Sequence, residues 1–374
     1  MGVKQVLGKM PLFVVAMGLL LGLAAWQFFA PSKTFSELEN RSLAVVSAPS
    51  LATIRSGSWM KSAETAVADQ FPFREQWVAL QALEDAALLR TQRNGILIGR
   101  DGWLFERASD LNPRTAQENI AALGKIAAHT DLPVTLMLVP MSSAVYPGKL
   151  PMGYRADDQG ALIASLYGAL PNVETIDLLA ALLAEESDIP LFYRTDHHWT
   201  LTGAMIAYDA LREAWQLSEI DGPVEQLALP DGHYGSYFAR APNPFTRPDA
   251  FALAYPADVT LSIAGEPMPN LYDAEGIDTM RNKYAALLYG NHGIITLSGA
   301  AENGVLLVIK DSYANLLMPW LARHYRRVVA IDPRYYADNL QTWIQEEEEA
   351  TILCIYGLTT WLTDRNLPRR VASW

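Results

Sequence analysis

The sequence predicts an α/β fold with a mainly parallel, doubly wound sheet, preceded by one membrane-spanning helix. Three observations carry that expectation. Strand-length apolar runs at Val134–Val139, Val305–Lys310, 327–332 and 351–356 alternate with segments of helical periodicity. The first of these runs is continuously apolar, as a strand covered on both faces must be. An apolar stretch from Met10 to Ala30, broken only by Gln27, stands near the beginning of the chain.

Length and composition set the outer limits. With 374 residues, half of them hydrophobic and 19% charged, the chain can bury a large core and does not read as disordered. A net charge of −12 argues against a nucleic-acid partner, because phosphate contacts need clustered Lys and Arg. The same charge is repelled by an anionic bilayer surface, so membrane attachment must be hydrophobic. The one cysteine, Cys354, lies in an apolar run and reads as a buried strand residue without a disulfide partner.

Taken in order, residues 1–30 form a cytoplasmic stub and signal anchor. About 20 apolar residues span the ~30 Å hydrocarbon core, and Lys4 and Lys9 before them place the N-terminus inside. A cleaved signal peptide is the competing reading, with its best site after Ala24. Either way the rest of the chain is expected outside the cytoplasm, in the first case as a single-pass protein of the cell membrane. Residues 31–56 read as a linker, and 57–374 as one extracytoplasmic domain. Helical spacing runs from 57 to 93, interrupted at Phe71-Pro72-Phe73-Arg74, where Pro72 should end one helix and begin another. Residues 94–105 read as a hairpin around Gly99-Arg100-Asp101-Gly102, with both glycines supplying positive φ.

An amphipathic helix at 115–129 leads into the strand Val134–Val139, followed by a shorter strand at 173–177 and a helix at 178–185. A helix at 202–215 precedes a stretch rich in Pro, Gly and Asp at 223–278, which reads as an irregular insertion forming substrate walls. Alternation resumes with strands at 293–297 and 305–310, a helix at 313–325, a strand at 327–332, a helix at 337–347 and a strand at 351–356.

Chemistry concentrates at Asp196-His197-His198-Trp199, which offers a base and an orienting carboxylate but no nucleophile. Adjacent histidines on a strand would face opposite ways, and this weighs against reading Asp196, His197 and His198 as a metal set. Ligands bind at the carboxyl ends of strands in such sheets. There Asp311-Ser312 follows 305–310 and starts a helix, whose N-terminus would favour developing negative charge on Ser312. The plainer reading of Asp311-Ser312 is an N-cap. Gly290-Asn291 precedes a strand and reads either as a turn or as an amide donor to an oxyanion.

With these residues in view, the chain resembles the DHHW-type members of the alginate O-acetyltransferase-like group of SGNH hydrolases. The resemblance takes in Glu39-Asn40-Arg41, Asp69-Gln70-Phe71-Pro72-Phe73-Arg74, the 94–105 hairpin, Val139-Pro140 with Tyr146-Pro147, Tyr284, and Ile331-Asp332-Pro333-Arg334-Tyr335-Tyr336. It implies an SGNH-hydrolase-like three-layer α/β/α domain in permuted order, with Asp-x-His ahead of the serine. By that resemblance Ser312 is the nucleophile, His198 the general base and Asp196 its orienting carboxylate. His197 is then a supporting residue. Asn291 matches the oxyanion asparagine, and Tyr313 and Arg334 join it as oxyanion or substrate-binding residues. For Arg334, an ion pair with Asp332 or Asp311 is an equal reading. One departure is Met141-Ser142-Ser143 after Val139-Pro140, where relatives often carry a polar or basic residue, so the acceptor can differ from alginate.

The function expected is acetyl transfer to an exported or cell-surface polysaccharide through an acyl-enzyme. No cofactor or metal is called for, and the resemblance implies a membrane-bound O-acyltransferase as the source of the acetyl group. A glycan acetylesterase with the same triad, and a non-catalytic glycan-binding or scaffold protein of an export complex, are the alternatives.

Overall fold

The computed structural model describes residues 11–372 except positions 37, 40, 244, 346 and 348. Lys4, Lys9 and Met10 lie outside the described residues, as does Asn40. The chain divides into two compact units between Arg90 and Thr91, with the short piece Pro242–Pro244 belonging to the first.

The first unit contains the apolar helix Pro11–Phe29, long and apolar enough to cross a membrane and with none of its residues buried. Residues 31–56 are not the plain linker that their Ser, Pro and Ala content suggested. Arg41 donates to both Asp69 oxygens at 2.9 and 2.5 Å, and Arg74 donates to both Glu39 oxygens at 2.8 and 2.9 Å. The Gln70 amide accepts from Lys33 N–H and donates to the Lys33 and Ala44 carbonyls. Two sequence motifs 28 to 35 residues apart thus form one clasp. The helices Ser58–Asp69 and Arg74–Ala87 flank the Pro72 break.

In the second unit an eight-stranded sheet carries the site. Its strands are β1 (Val134–Val139), β2 (Glu174–Thr175), β3 (Thr260–Ile263), β4 (Glu266–Pro267), β5 (Ile294–Ser298), β6 (Val305–Lys310), β7 (Arg327–Ile331) and β8 (Ala350–Gly357). Their spatial order is β4-β3-β5-β7-β6-β8-β1-β2. From β7 to β2 every pairing is parallel, whereas β5, β3 and β4 pair antiparallel. The sheet is therefore mainly parallel but not regularly wound at 293–310. The loop from Ser298 to Val305 is too short for the crossover helix that a parallel neighbour requires.

Period-two alternation sends each parallel strand into two cores. Met137, Val139, Leu306, Val308, Leu353 and Ile355 face helices Leu178–Ala184 and Leu201–Ala214. Leu136, Leu138, Leu307, Ile309, Ile352 and Cys354 face helix Pro113–Ala128 and the C-terminal helices. Cys354 is buried as expected. These are the three layers of an α/β/α domain.

Three local expectations need correction. The helix expected at 313–325 is a five-residue 3-10 turn, Ser312–Leu316, followed by a short helix Met318–Ala322. Pro319 has no N–H and its ring crowds the carbonyl four residues back, so a continuous helix cannot pass it. In the 99–102 turn, positive φ falls on Asp101 and Gly102, while Gly99 lacks a side chain because a Cβ there would lie 2.4 Å from the Lys149 carbonyl oxygen. The 223–278 stretch is not irregular. Strands Val224–His233 and Asp249–Pro256 pair antiparallel, and β3 and β4 extend the main sheet.

Candidate active site

The carboxyl ends of β6 and β7 and the start of β5 lie at one edge of the sheet, since Ile309 is level with Ile331 and Ile331 with Ile294. Ser312 follows β6 directly. Asp311, fully buried, ties this corner together: one oxygen accepts Tyr313 N–H and the other accepts Gly357 N–H at the end of β8, both at 3.0 Å. Asp311 is thus the cap of the turn. The long helix whose dipole was expected to serve Ser312 is absent.

Asp196, His198 and Ser312 meet in the fold. His198 Nε2 and Ser312 Oγ are 2.8 Å apart, and His198 Nδ1 is 3.2 Å from Asp196 Oδ2. Asp196 has no exposed surface, His198 is 5% exposed and Ser312 is 8% exposed, so only a narrow approach to the hydroxyl remains. The His198 ring stacks on Tyr284 with centroids 3.7 Å apart. The Tyr284 hydroxyl donates to the carbonyls of Ser312 and Tyr313. Tyr284 thereby fixes both the imidazole plane and the serine backbone.

Burial, followed by the neighbouring His197, pulls His198 down to about 3 from the ordinary 6.5, so its imidazole is neutral at physiological pH. Burial alone would raise Asp196, but His198 and then His197 outweigh it and hold the carboxyl well below its usual range. Asp196 Oδ1 accepts His197 N–H at 2.6 Å and the Ser236 hydroxyl at 2.7 Å. A carboxylate with this many donors is both ionised and immobile.

His197 and His198 do not face opposite ways. Their segment is a loop, and the rings sit 3.7 Å apart on one side. Asp196, His197 and His198 offer ligand atoms within 4.8 Å of one another, close enough for a metal set. Each is already engaged: His197 Nδ1 with Ser236 Oγ at 2.5 Å, and both nitrogens of His198 with Asp196 and Ser312.

The other expected site residues do not join this cluster in the same way. Tyr313 has its N–H on Asp311 and its hydroxyl on the His197 carbonyl. Arg334 makes the ion pair that its alternative reading anticipated, bidentate on Asp332 at 2.9 and 2.6 Å. Asn291 stands just before β5 at the site edge, with its Oδ1 buried and unpaired among the described residues. Leu288, Tyr289 and Gly290 ahead of it all have positive φ, a costly run for two side-chain-bearing residues. Leu288 N–H to the Leu271 carbonyl and Tyr289 N–H to the Ala286 carbonyl hold it in place.

Sequence reasoning missed His233, Gly235 and Ser236, all of which contact Asp196 or crowd it. They lie in the stretch read as irregular, and nothing local marks them.

Residues 96–229 match the family model described as ALGX, the SGNH hydrolase-like domain of acetyltransferase AlgX. The matched part contains Asp196 and His198 but ends before Ser312. The chain is 30% identical over 225 residues to the "Probable alginate O-acetylase AlgJ" of Pseudomonas syringae pv. tomato, covering 57% of this chain and 54% of that protein. It is 29% identical over 210 residues to the protein of the same name in Pseudomonas putida, covering 53% and 51%. The chain thus spans about half the length of the curated relatives it matches. A DHHW family protein from Eubacterium siraeum superposes with a TM-score of 0.62 at 22% identity, over 74% of this chain and 95% of that one. Bacillus cereus PatB1 superposes with a TM-score of 0.58 at 22% identity, over 73% and 98%. In sequence and in its α/β/α fold, this chain resembles the DHHW-type, alginate O-acetyltransferase-like group of SGNH hydrolases.

Proposed function

We propose that this chain is a membrane-anchored, extracytoplasmic O-acetyltransferase that acetylates an exported or cell-surface polysaccharide. The observation that carries the chemistry is the continuous line from Asp196 Oδ2 through His198 to Ser312 Oγ, with spacings of 3.2 and 2.8 Å. A neutral imidazole with its far nitrogen on a serine hydroxyl is set to act as a general base.

In the first half-reaction Ser312 Oγ attacks the carbonyl carbon of an acetyl donor while its proton passes to His198 Nε2. Asp196 stabilises the imidazolium that forms. The tetrahedral intermediate collapses, the donor's leaving group takes the proton from His198, and acetyl-Ser312 remains. A sugar hydroxyl then loses its proton to His198 Nε2 and attacks the acyl carbon. Return of that proton to Ser312 Oγ releases the acetylated sugar. Asn291, on its constrained turn at the edge of the site, is the side chain we assign to the oxyanion, with its Nδ2–H as the donor.

The similarity to proteins named as alginate O-acetylases supports a polysaccharide acceptor, and the apolar helix Pro11–Phe29 supports attachment to the membrane. The acetyl donor outside the cytoplasm would come from a membrane-bound O-acyltransferase. The test is product partition: the full-length protein receives an acetyl ester with and without glycan oligosaccharides, and acetylated sugar is measured against free acetate. Transfer that is lost in Ser312→Ala supports the proposal. Free acetate alone, across uronate and neutral glycans, assigns an esterase. Glycan binding without turnover assigns a binding protein.

A further inference from the structure

His233 is the last residue of the strand Val224–His233 and is completely buried. Its Nδ1 accepts the backbone N–H of Lys283 at 3.1 Å. A backbone amide can only donate, so that nitrogen carries no proton and the proton of the neutral ring sits on Nε2. Nε2 has no conventional hydrogen-bond partner, yet it lies 3.5 Å from Asp196 Oδ2. Oδ2 is also the oxygen that faces His198 Nδ1.

We propose that His233 is a positioning residue for the Asp196–His198 pair, its fixed Nε2–H holding Asp196 Oδ2 in line with the His198 ring. This rests on the Ser312–His198–Asp196 reading above and adds a fourth residue to it. Asp196 is then gripped on both oxygens. Oδ1 receives His197 N–H and the Ser236 hydroxyl, and Oδ2 lies between two imidazoles. The backbone around His233 is held as firmly. Gly235 N–H donates to Thr195 Oγ1, and both Thr195 N–H and its hydroxyl donate to Asp249. Tyr193 and Phe251 pack against the His233 ring at 4.5 and 5.5 Å, leaving it little room to turn.

One consequence distinguishes positioning from mere packing: an N–H donor on Asp196 draws charge away from the contact with His198 and lowers the basicity of that imidazole. The ionisable groups facing His198 are Asp196 and His197 from its own loop, His233, Tyr284, and Tyr313.

The test compares His233→Gln, His233→Asn and His233→Phe in the full-length protein, with 4-nitrophenyl acetate as the probe ester. Gln can place an amide donor where Nε2 stood, whereas Asn reaches only the Lys283 side and Phe supplies neither group. We expect Gln to keep kcat within about fivefold of wild type, and Asn and Phe to lose about 10- to 100-fold with KM little changed. In the Phe variant the acid limb of kcat/KM moves to higher pH. All three variants within twofold of wild type, with an unmoved profile, would overturn the proposal while Ser312→Ala remained inactive. If wild type and Ser312→Ala hydrolyse the ester equally, the triad reading fails instead. The tautomer can then be read independently by 15N spectra of the histidines, and a proton on Nδ1 of His233 sinks the assignment.

Discussion

Asp196 packs against a residue with no side chain. A Cβ on Gly235 would lie 2.1 Å from Asp196 Cβ and 2.3 Å from its Cγ, although the backbone there is in a region open to any residue. Gly235→Ala therefore tests the position of the carboxylate without removing a polar group. Displacing Asp196 should lower ester turnover at least about 100-fold and cost about 1–3 kcal/mol of stability, read from kcat and a urea melt. His198 makes a second residue-scale prediction. Its folded value of about 3 lies below the ordinary 6.5, so at intermediate pH the unfolded chain binds a proton that the folded chain refuses. Its contribution to stability is complete above about pH 6.5 and is lost as pH falls towards 3, with a slope of about 1.4 kcal/mol per pH unit. Urea midpoints between pH 4 and 7 should fall more steeply for wild type than for His198→Gln. Asp196, His198 and Ser312 were legible because a carboxylate two residues before a histidine, and a serine after a buried strand, are patterns of residue type. Gly235 and His233 were not, because their meaning lies in what approaches them from 35 or more residues away.

Among the elements, the end of β6 shows why two readings of one dipeptide need not compete. Asp311 is the cap that the plainer interpretation of Asp311-Ser312 describes, and that cap is what holds Ser312 against His198. Its two oxygens take the buried N–H groups of Tyr313 and Gly357, joining the ends of β6 and β8. Asp311→Ala orphans both donors and should cost about 1–3 kcal/mol for each. Asp311→Asn keeps one acceptor oxygen and should cost less, so the order wild type, Asn, Ala in urea midpoint is the expected result. Strands β1, β6, β7 and β8 were legible from their apolar runs, since strands buried on both faces need little else. The Val224–His233 strand was hidden by Pro230 and Gly232, residues that ordinarily argue against a strand interior. The pairing shifts register between Leu229 and His233. That irregular end delivers His233 to Asp196.

At the scale of the molecule, the apolar helix Pro11–Phe29 was legible from its composition, whereas the contacts made by the segment after it were not. The cause is the clasp, whose charged residues each look like ordinary surface until Glu39, Arg41, Asp69 and Arg74 are seen to pair. Asp69 is its most buried member, with a side chain 5% exposed, and it accepts two bonds from Arg41 and the Ala44 N–H. The Arg41 hydrogen bond, against a smaller opposing effect of burial, lowers Asp69 to about 2. The clasp's dependence on this carboxylate is thus satisfied above about pH 4 and fails as pH drops through 2. Because the clasp belongs to one compact unit and the Ser312 cluster to the other, breaking it should separate stability from chemistry. Asp69→Ala should weaken the first unit by about 2 kcal/mol, the worth of charge-assisted bonds. If cleavage follows the population of the opened form, segment 31–56 should then be cut about 30-fold faster by a protease under limiting conditions. Turnover of a soluble acetyl ester by the same variant should stay within about twofold of wild type. A tenfold loss of turnover alongside the faster cleavage would overturn that separation of stability from chemistry.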